Sequence, residues 1–217
     1  MARSFNTVNQ NGDMVLWGNI AALNFGVGQF TVSCLFFNTG TSGTRGMVMK
    51  NRFAGNDSGA YLYFSSTRYL WYNGAADIIV GSAGLLWNFC SVVRNNTASN
   101  GVSTYFNNSQ GAVGTDNQNM TNTLQLVVGG TSDPAQYWTG SAAHIQIFNR
   151  ALNYEEHQQI MRYPGSITRG LAFYAPLFGT AVENDYSGNN YVGTVSSGTV
   201  VREGPPVNNV FRVNEMV

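Results

Sequence analysis

The stretch YWTGSAAHIQIFNRALNYEEH, Tyr137 to His157, decides the fold. From Ala142 to Phe148, His144 alternates with Ile145 and Ile147, the two-residue period of a β-strand. A short turn, Asn149 to Leu152, follows, and then a helix is predicted from Tyr154 to about Arg162. Asn153 can accept a backbone N–H bond at the start of that helix, and Glu156, three positions on, can return it as a capping box. Pro164-Gly165 ends the helix. This helix is short and isolated, so its expected place is as a plug at one end of a β structure rather than as a second layer.

Outward from this stretch, strand signals dominate. Short runs of β-branched and aromatic residues recur between Gly, Asn and Ser clusters. Strands are expected at Phe30 to Phe37, Met47 to Lys50, Ala60 to Phe64, Tyr69 to Tyr72, Ile78 to Val80, Leu86 to Val93, Ser103 to Phe106, Thr123 to Val128 and Ala142 to Phe148. Asn11-Gly12, Asn73-Gly74 and Asn100-Gly101 can supply the positive φ angles of tight hairpins. After Pro164 come β-like segments at Leu171 to Leu177, Tyr191 to Val195, Thr199 to Arg202 and Val210 to Val213. The spacing reads as one antiparallel sandwich.

Composition narrows the function. The 217 residues are 43% hydrophobic and only 10% charged, with eleven basic and eleven acidic side chains and a formal net charge of zero. The usual charged fraction is about 25%; here Asn, Ser, Thr and Gly fill the gap and predict a neutral, amide-rich surface. No basic patch is available for nucleic acid or an anionic membrane. Lys50 is the single lysine, and the Arg bias favours interfacial contacts. Cys34 and Cys90 lie in apolar stretches and are expected as free, buried thiols. Neither a signal peptide nor a membrane-spanning run is expected.

The Tyr137 to His157 stretch resembles the last strand and helix of laminin-G-like, concanavalin-A-like jelly-roll domains, which share its aromatic-x-Gly start, alternating strand, Asn-Arg-Ala-Leu turn and capped Glu-Glu helix. QFTVS at Gln29, LWNFCSVV at Leu86 and TYFNNS at Thr104 resemble earlier strands of the same family. Together these motifs cover about residues 15 to 162. The segment GLAFYAPL at Gly170, with DYSGNN at Asp185 and GTV at Gly193, resembles the family's usual opening, here placed last. The resemblance thus implies an all-β, antiparallel concanavalin-like sandwich with one short helix over residues 1–164. Residues 165–217 either complete it as a circular permutation or form an assembly arm. The unsecreted, Asn-rich style is similar to domains of tailed-phage virion proteins.

Catalysis is not expected. A glycosidase needs two carboxylates roughly 5 to 9 Å apart across a cleft; the nearest fragment, Glu183-Asn-Asp185, lacks a third acid, and its neighbourhood, Asn184 to Asn190, reads as a turn. His144 and His157 are the only histidines, and packing or solvent-facing roles are expected for both. No cofactor is implied, although the family resemblance admits calcium on the loop carboxylates Asp57 and Asp133, with Asp116 or Asp185 as further oxygens. Its acidic pair in the last strand is replaced here by Ala143 and His144. Sugar binding needs an aromatic face with amide or carboxylate partners. Two clusters offer this, Trp71-Tyr72-Asn73 and Asp133 with Gln136-Tyr137-Trp138; equally, Trp71 can cap a hairpin and Trp138 can close the core. The expected function is a non-enzymatic virion structural protein, decorating a capsid or associated with a tail. It would be made in the host cytoplasm and act through other virion proteins and as a homo-oligomer. The alternative is a carbohydrate-binding, lectin-like module with glycans as partners.

Overall fold

The computed structural model describes residues 1–5, 13–39, 44–50, 60–65, 67–72, 76–82, 84–130, 138–196 and 199–206. Two antiparallel sheets of eight strands face each other. In the first, the order is β10 (Ser109–Gly114), β9 (Val102–Phe106), β8 (Trp87–Arg94), β3 (Phe30–Asn38), β12 (Gly140–Phe148), β1 (Ala2–Phe5) and β16 (Val200–Arg202), with β13 (Leu171–Ala175) also on β12. In the second it is β14 (Val182–Asn184), β15 (Val192–Val195), β2 (Val15–Trp17), β11 (Leu126–Val128), β4 (Thr44–Lys50), β5 (Ala60–Ser65), β6 (Arg68–Tyr72) and β7 (Asp77–Ser82). Among the described residues no helix is long and apolar enough to cross a membrane.

Alternation along each strand sends one set of side chains between the sheets. In β3 these are Phe30, Val32, Cys34 and Phe36; they meet Val48, Leu62 and Trp71 of the second sheet in one core cluster. Cys34 and Cys90 sit directly opposite each other on β3 and β8, both buried as free thiols. Burial pushes both thiols well above their ordinary pKa.

One edge of β12 is shared end to end. Its first residues, Gly140 to Ala142, pair with β1, and Ile145 to Phe148 pair with β13. Between them His144 takes φ 54°, and the register against β3 shifts between Ala143 and Gln146. The bulge lets one strand end and another begin without losing the β3 ladder on the opposite side. Through β13 to β16 the carboxy-terminal segment contributes strands to both sheets, and β16 pairs with β1.

The helix α1 (Tyr154–Arg162) has the expected bounds and cap: Glu156 N donates to Asn153 Oδ1 at 2.9 Å, and Asn153 N donates to Glu156 Oε2 at 3.0 Å. Its position differs from expectation. Instead of plugging an end, it lies on the outer face of the first sheet, where Leu152 and Ile160 cover Leu35, Phe89, Ala143 and Phe148. Those outward side chains are apolar and require a cover.

Other differences are local. The strand expected from Thr123 begins only at Leu126, because Asn122 Oδ1 takes the Leu124 N–H into a turn. The β13 strand stops at Ala175, before Pro176. Asn100 has the expected positive φ of 59° but belongs to a longer loop, closed where Gly101 packs on the Asn96 backbone; a Cβ there would lie 2.3 Å from the Asn96 carbonyl oxygen. Asn107-Asn108, between β9 and β10, forms a two-residue turn with Asn107 at φ 52°. Asn11-Gly12, Asn73-Gly74 and Val210 to Val213 lie outside the described residues.

Candidate functional site

Register places one straight row of side chains across five strands of the first sheet. Val200 on β16 faces Ser4 on β1, Ser4 faces Ser141 on β12, Ser141 faces Phe37 on β3, and Phe37 faces Trp87 on β8. Their chain neighbours Phe5, Ala142 and Phe36 point into the core, so this row points outward. Because Ser4 and Ser141 are small, the middle of the row is low. The result is a depression of about 490 Å³ lined by Ser4, Phe5, Phe37, Thr39, Thr139, Ser141, Val200 and Arg202. A volume of this size suits a small ligand.

The two ends of the depression differ chemically. At one end the Phe37 ring is half-buried and packs on Trp87 with centroids 5.8 Å apart. At the other, Arg202 is exposed beside Val200. On the helix side the next row starts at Arg202 opposite Ala2 and includes Ala143 opposite Leu35. Ala2, Ala143 and Leu35 are buried in the cluster that α1 covers, so the low ground is bounded there by the helix-covered core. The hydroxyls of Ser4, Ser141, Thr39 and Thr139 surround the middle. None of the eight lining residues carries a carboxylate.

Trp71, Tyr72 and Trp138, singled out by sequence, lie elsewhere. Trp71 and Tyr72 are neighbours on β6 and therefore point to opposite faces of the second sheet. The Trp71 indole is 3% exposed, packs on Phe30 and donates Nε1–H to Asp116 Oδ2 at 3.4 Å. Tyr72 is half-buried outside, against the patch of Tyr63, Leu70 and Val127. Trp138 is 1% exposed, edge-on to Phe36, and donates to Asn38 Oδ1 at 3.3 Å. Both indoles thus hold core positions, and the residue after Trp138, Thr139, lines the depression. Asn73, Asp133, Gln136 and Tyr137 lie outside the described residues, as does Asp57.

Trp71 also walls a small cavity between the sheets, about 40 Å³, with Phe30, Val32, Val48, Leu126 and Ile147. That is room for a water or two, not for a sugar ring. Lys50 stands at its wall and donates Nζ–H bonds to Asn24 Oδ1 at 2.7 Å, Asn122 O at 2.9 Å and Asn122 Oδ1 at 3.0 Å. Burial lowers its pKa to about 8.

The remaining acids and histidines are held in structural contacts. Buried Asp116 lies 3.5 Å from Arg94 and accepts Gln118 N–H; burial raises its carboxyl above the usual range despite that cation. Asp185 accepts from Tyr174 N and from Ser187 N and Oγ, the turn expected there. The expected turn starts one residue late, since Asn184 ends β14; Glu183, in the same strand, is buried against Arg3. His144 Nδ1 is 2.8 Å from the Tyr174 hydroxyl, and His157 stacks on Tyr105 at 4.0 Å. Both rings are buried, which removes the solvent-facing option. Among the described residues no three His, Cys, Asp or Glu side chains gather to hold a metal.

The sequence matches no family model and no curated protein. Solved structures do match. A Bacteroides ovatus protein assigned to carbohydrate binding aligns over 95% of this chain at 12% identity with a TM-score of 0.68; the chain spans 61% of that protein's length. The heptameric SAP-like pentraxin of Limulus polyphemus aligns over 92% of this chain and 93% of its own, at 14% identity and TM-score 0.60. The CBM40 domain of a Ruminococcus gnavus sialidase, solved with α2,3-sialyllactose, aligns over 67% of this chain and 91% of its own, at 14% identity and TM-score 0.52. In fold the chain is an all-β jelly-roll sandwich of the concanavalin type, resembling carbohydrate-binding and lectin-type domains.

Proposed function

We propose that the protein is a non-enzymatic, lectin-like module that binds a glycan in the depression over Ser4, Ser141 and Phe37. The observation that carries this reading is the row itself: an aromatic face, then hydroxyls on a low floor, preformed on a rigid sheet. A sugar ring presents an apolar face that an aromatic side chain can cover and a rim of hydroxyls that exchange hydrogen bonds with Ser and Thr. Likeness in fold to the carbohydrate-binding proteins above supports the same reading.

Absence of catalysis is part of the proposal. Glu183 and Asp185 are committed to Arg3 and to backbone N–H groups, and both histidine rings are enclosed. Attachment to a virion rests on sequence style alone, and glycan binding does not require it.

A glycan array probed with the purified protein tests the reading. Binding to a restricted set of glycans, lost in Phe37→Ala while the fold is kept, is expected. A blank array, or binding that survives Phe37→Ala, would overturn it.

A further inference from the structure

Among the described residues that line the depression Arg202 is the one charged side chain, and its guanidinium has no hydrogen bond or ion pair with the described residues. Elsewhere the protein occupies the guanidinium groups that it buries: Arg3 with Glu183, and Arg94 with three backbone carbonyls. Arg202 is held differently. It sits on β16, the last strand of its sheet among the described residues, hydrogen-bonded to β1, and alternation aims it to the same side as Val200 and Ser4.

The distance between the two ends is set by the sheet. From β3, which carries Phe37, to β16, which carries Arg202, there are three inter-strand steps. At about 4.8 Å each they span roughly 14 Å. A single monosaccharide stacked on Phe37 cannot reach Arg202 over that span; a chain of two or three sugars lying across the strands can. The floor beneath such a chain, Ser141 and Ser4, offers hydroxyls and no bulk.

Charge then selects among such ligands. With a cation and no carboxylate among the described lining residues, the depression favours a negative group at the β16 end. A planar guanidinium matches a carboxylate in a two-bond fork.

We infer that the ligand is an acidic oligosaccharide of two or three residues, lying across β3, β12, β1 and β16 with a neutral sugar on Phe37 and its carboxylate on Arg202. This rests on the glycan-binding reading and narrows it to a chemical class.

Calorimetry with pairs of sugars that differ by a terminal acid tests it: 3′-sialyllactose against lactose, and cellobiouronic acid against cellobiose. The acidic member of at least one pair should bind about tenfold more tightly, the worth of a charge-assisted hydrogen bond. Arg202→Gln should close that gap by weakening the acidic member, with the melting temperature unchanged. The gap should also shrink with added salt. Equal affinities within both pairs, or a gap that survives Arg202→Gln, would overturn the acidic specificity while leaving glycan binding intact. Failure of all four sugars, together with a blank glycan array, would overturn both.

Discussion

Arg3 and Glu183 meet across the two sheets, Nε to Oε1 at 2.7 Å, although 180 positions separate them in the chain. Both side chains are almost fully buried. Arg3 Nη1 donates to Thr199 Oγ1 and Nη2 to the Gly179 carbonyl, and Glu183 Oε2 accepts Gly179 N–H. Even so, burial raises the Glu183 carboxyl above its usual range, so the pair does not fully offset its desolvation.

Removing one partner should therefore cost far more than removing both. Arg3→Met leaves a buried carboxylate without its cation and should destabilise by about 3 to 5 kcal/mol. The double variant Arg3→Met/Glu183→Leu should recover a large part of that loss. Urea unfolding of the two variants and the parent decides it; equal losses would contradict the account.

Substituting the core tryptophans should separate fold from binding. Trp71→Ala and Trp138→Ala each empty a buried indole site and should cost about 3 to 5 kcal/mol. Phe37→Ala, on the outer face, should cost little stability and abolish glycan binding. Thermal melts read alongside glycan titrations show whether the two effects part in this way.

Acid should weaken the fold through its histidines. Burial is the main cause that lowers His144 and His157 from 6.5 to about 4 in the folded protein. The unfolded chain thus binds more protons between these values, and stability present above pH 6.5 is lost as pH falls toward 4. Each ring contributes roughly 3 kcal/mol across that window. Asp116 and Glu183, shifted upward, act in the opposite sense, with stability lost as pH rises through their folded values. Comparison of the parent with His157→Phe and His144→Asn cancels the carboxylate contributions. Each variant should flatten the pH profile, and Asn suits the positive φ at position 144.

The thiols should be silent until unfolding. Cys34 and Cys90 are fully buried, and burial suppresses their thiolates. Ellman's reagent should find no reactive thiol in the native protein and two in guanidinium. Reaction at native rates comparable to free cysteine would show that this core opens readily.

Much of the fold was legible because the informative segments are long and periodic. The β12 strand and α1 declare themselves by alternation, a capping box and a Pro-Gly stop, all local signals. The short strands β1, β2, β10 and β14 went unread; three or four residues, or a run such as SQGAVG, hold too little pattern. The site was less legible still. Aromatic clusters drew attention to Trp71 and Trp138, yet a strand sends adjacent residues to opposite faces, and parity alone would have parted Trp71 from Tyr72. The depression is made by two unremarkable serines from strands far apart in sequence. Only the register of β1 against β12 brings them side by side.

The pairing of β1 with β16 has a consequence for synthesis. Strand β1 gains β12 only after residue 142 has been made and its outer neighbour β16 only after residue 202, so its ladder is absent and then half-formed while the intervening chain is synthesised. Until then Ser4 has no Val200 beside it, and Arg202 is not yet in place. A nascent chain stalled before β16 can build most of both sheets and still lack one wall of the proposed binding surface, which makes ligand capture a readout of the synthesis of β16.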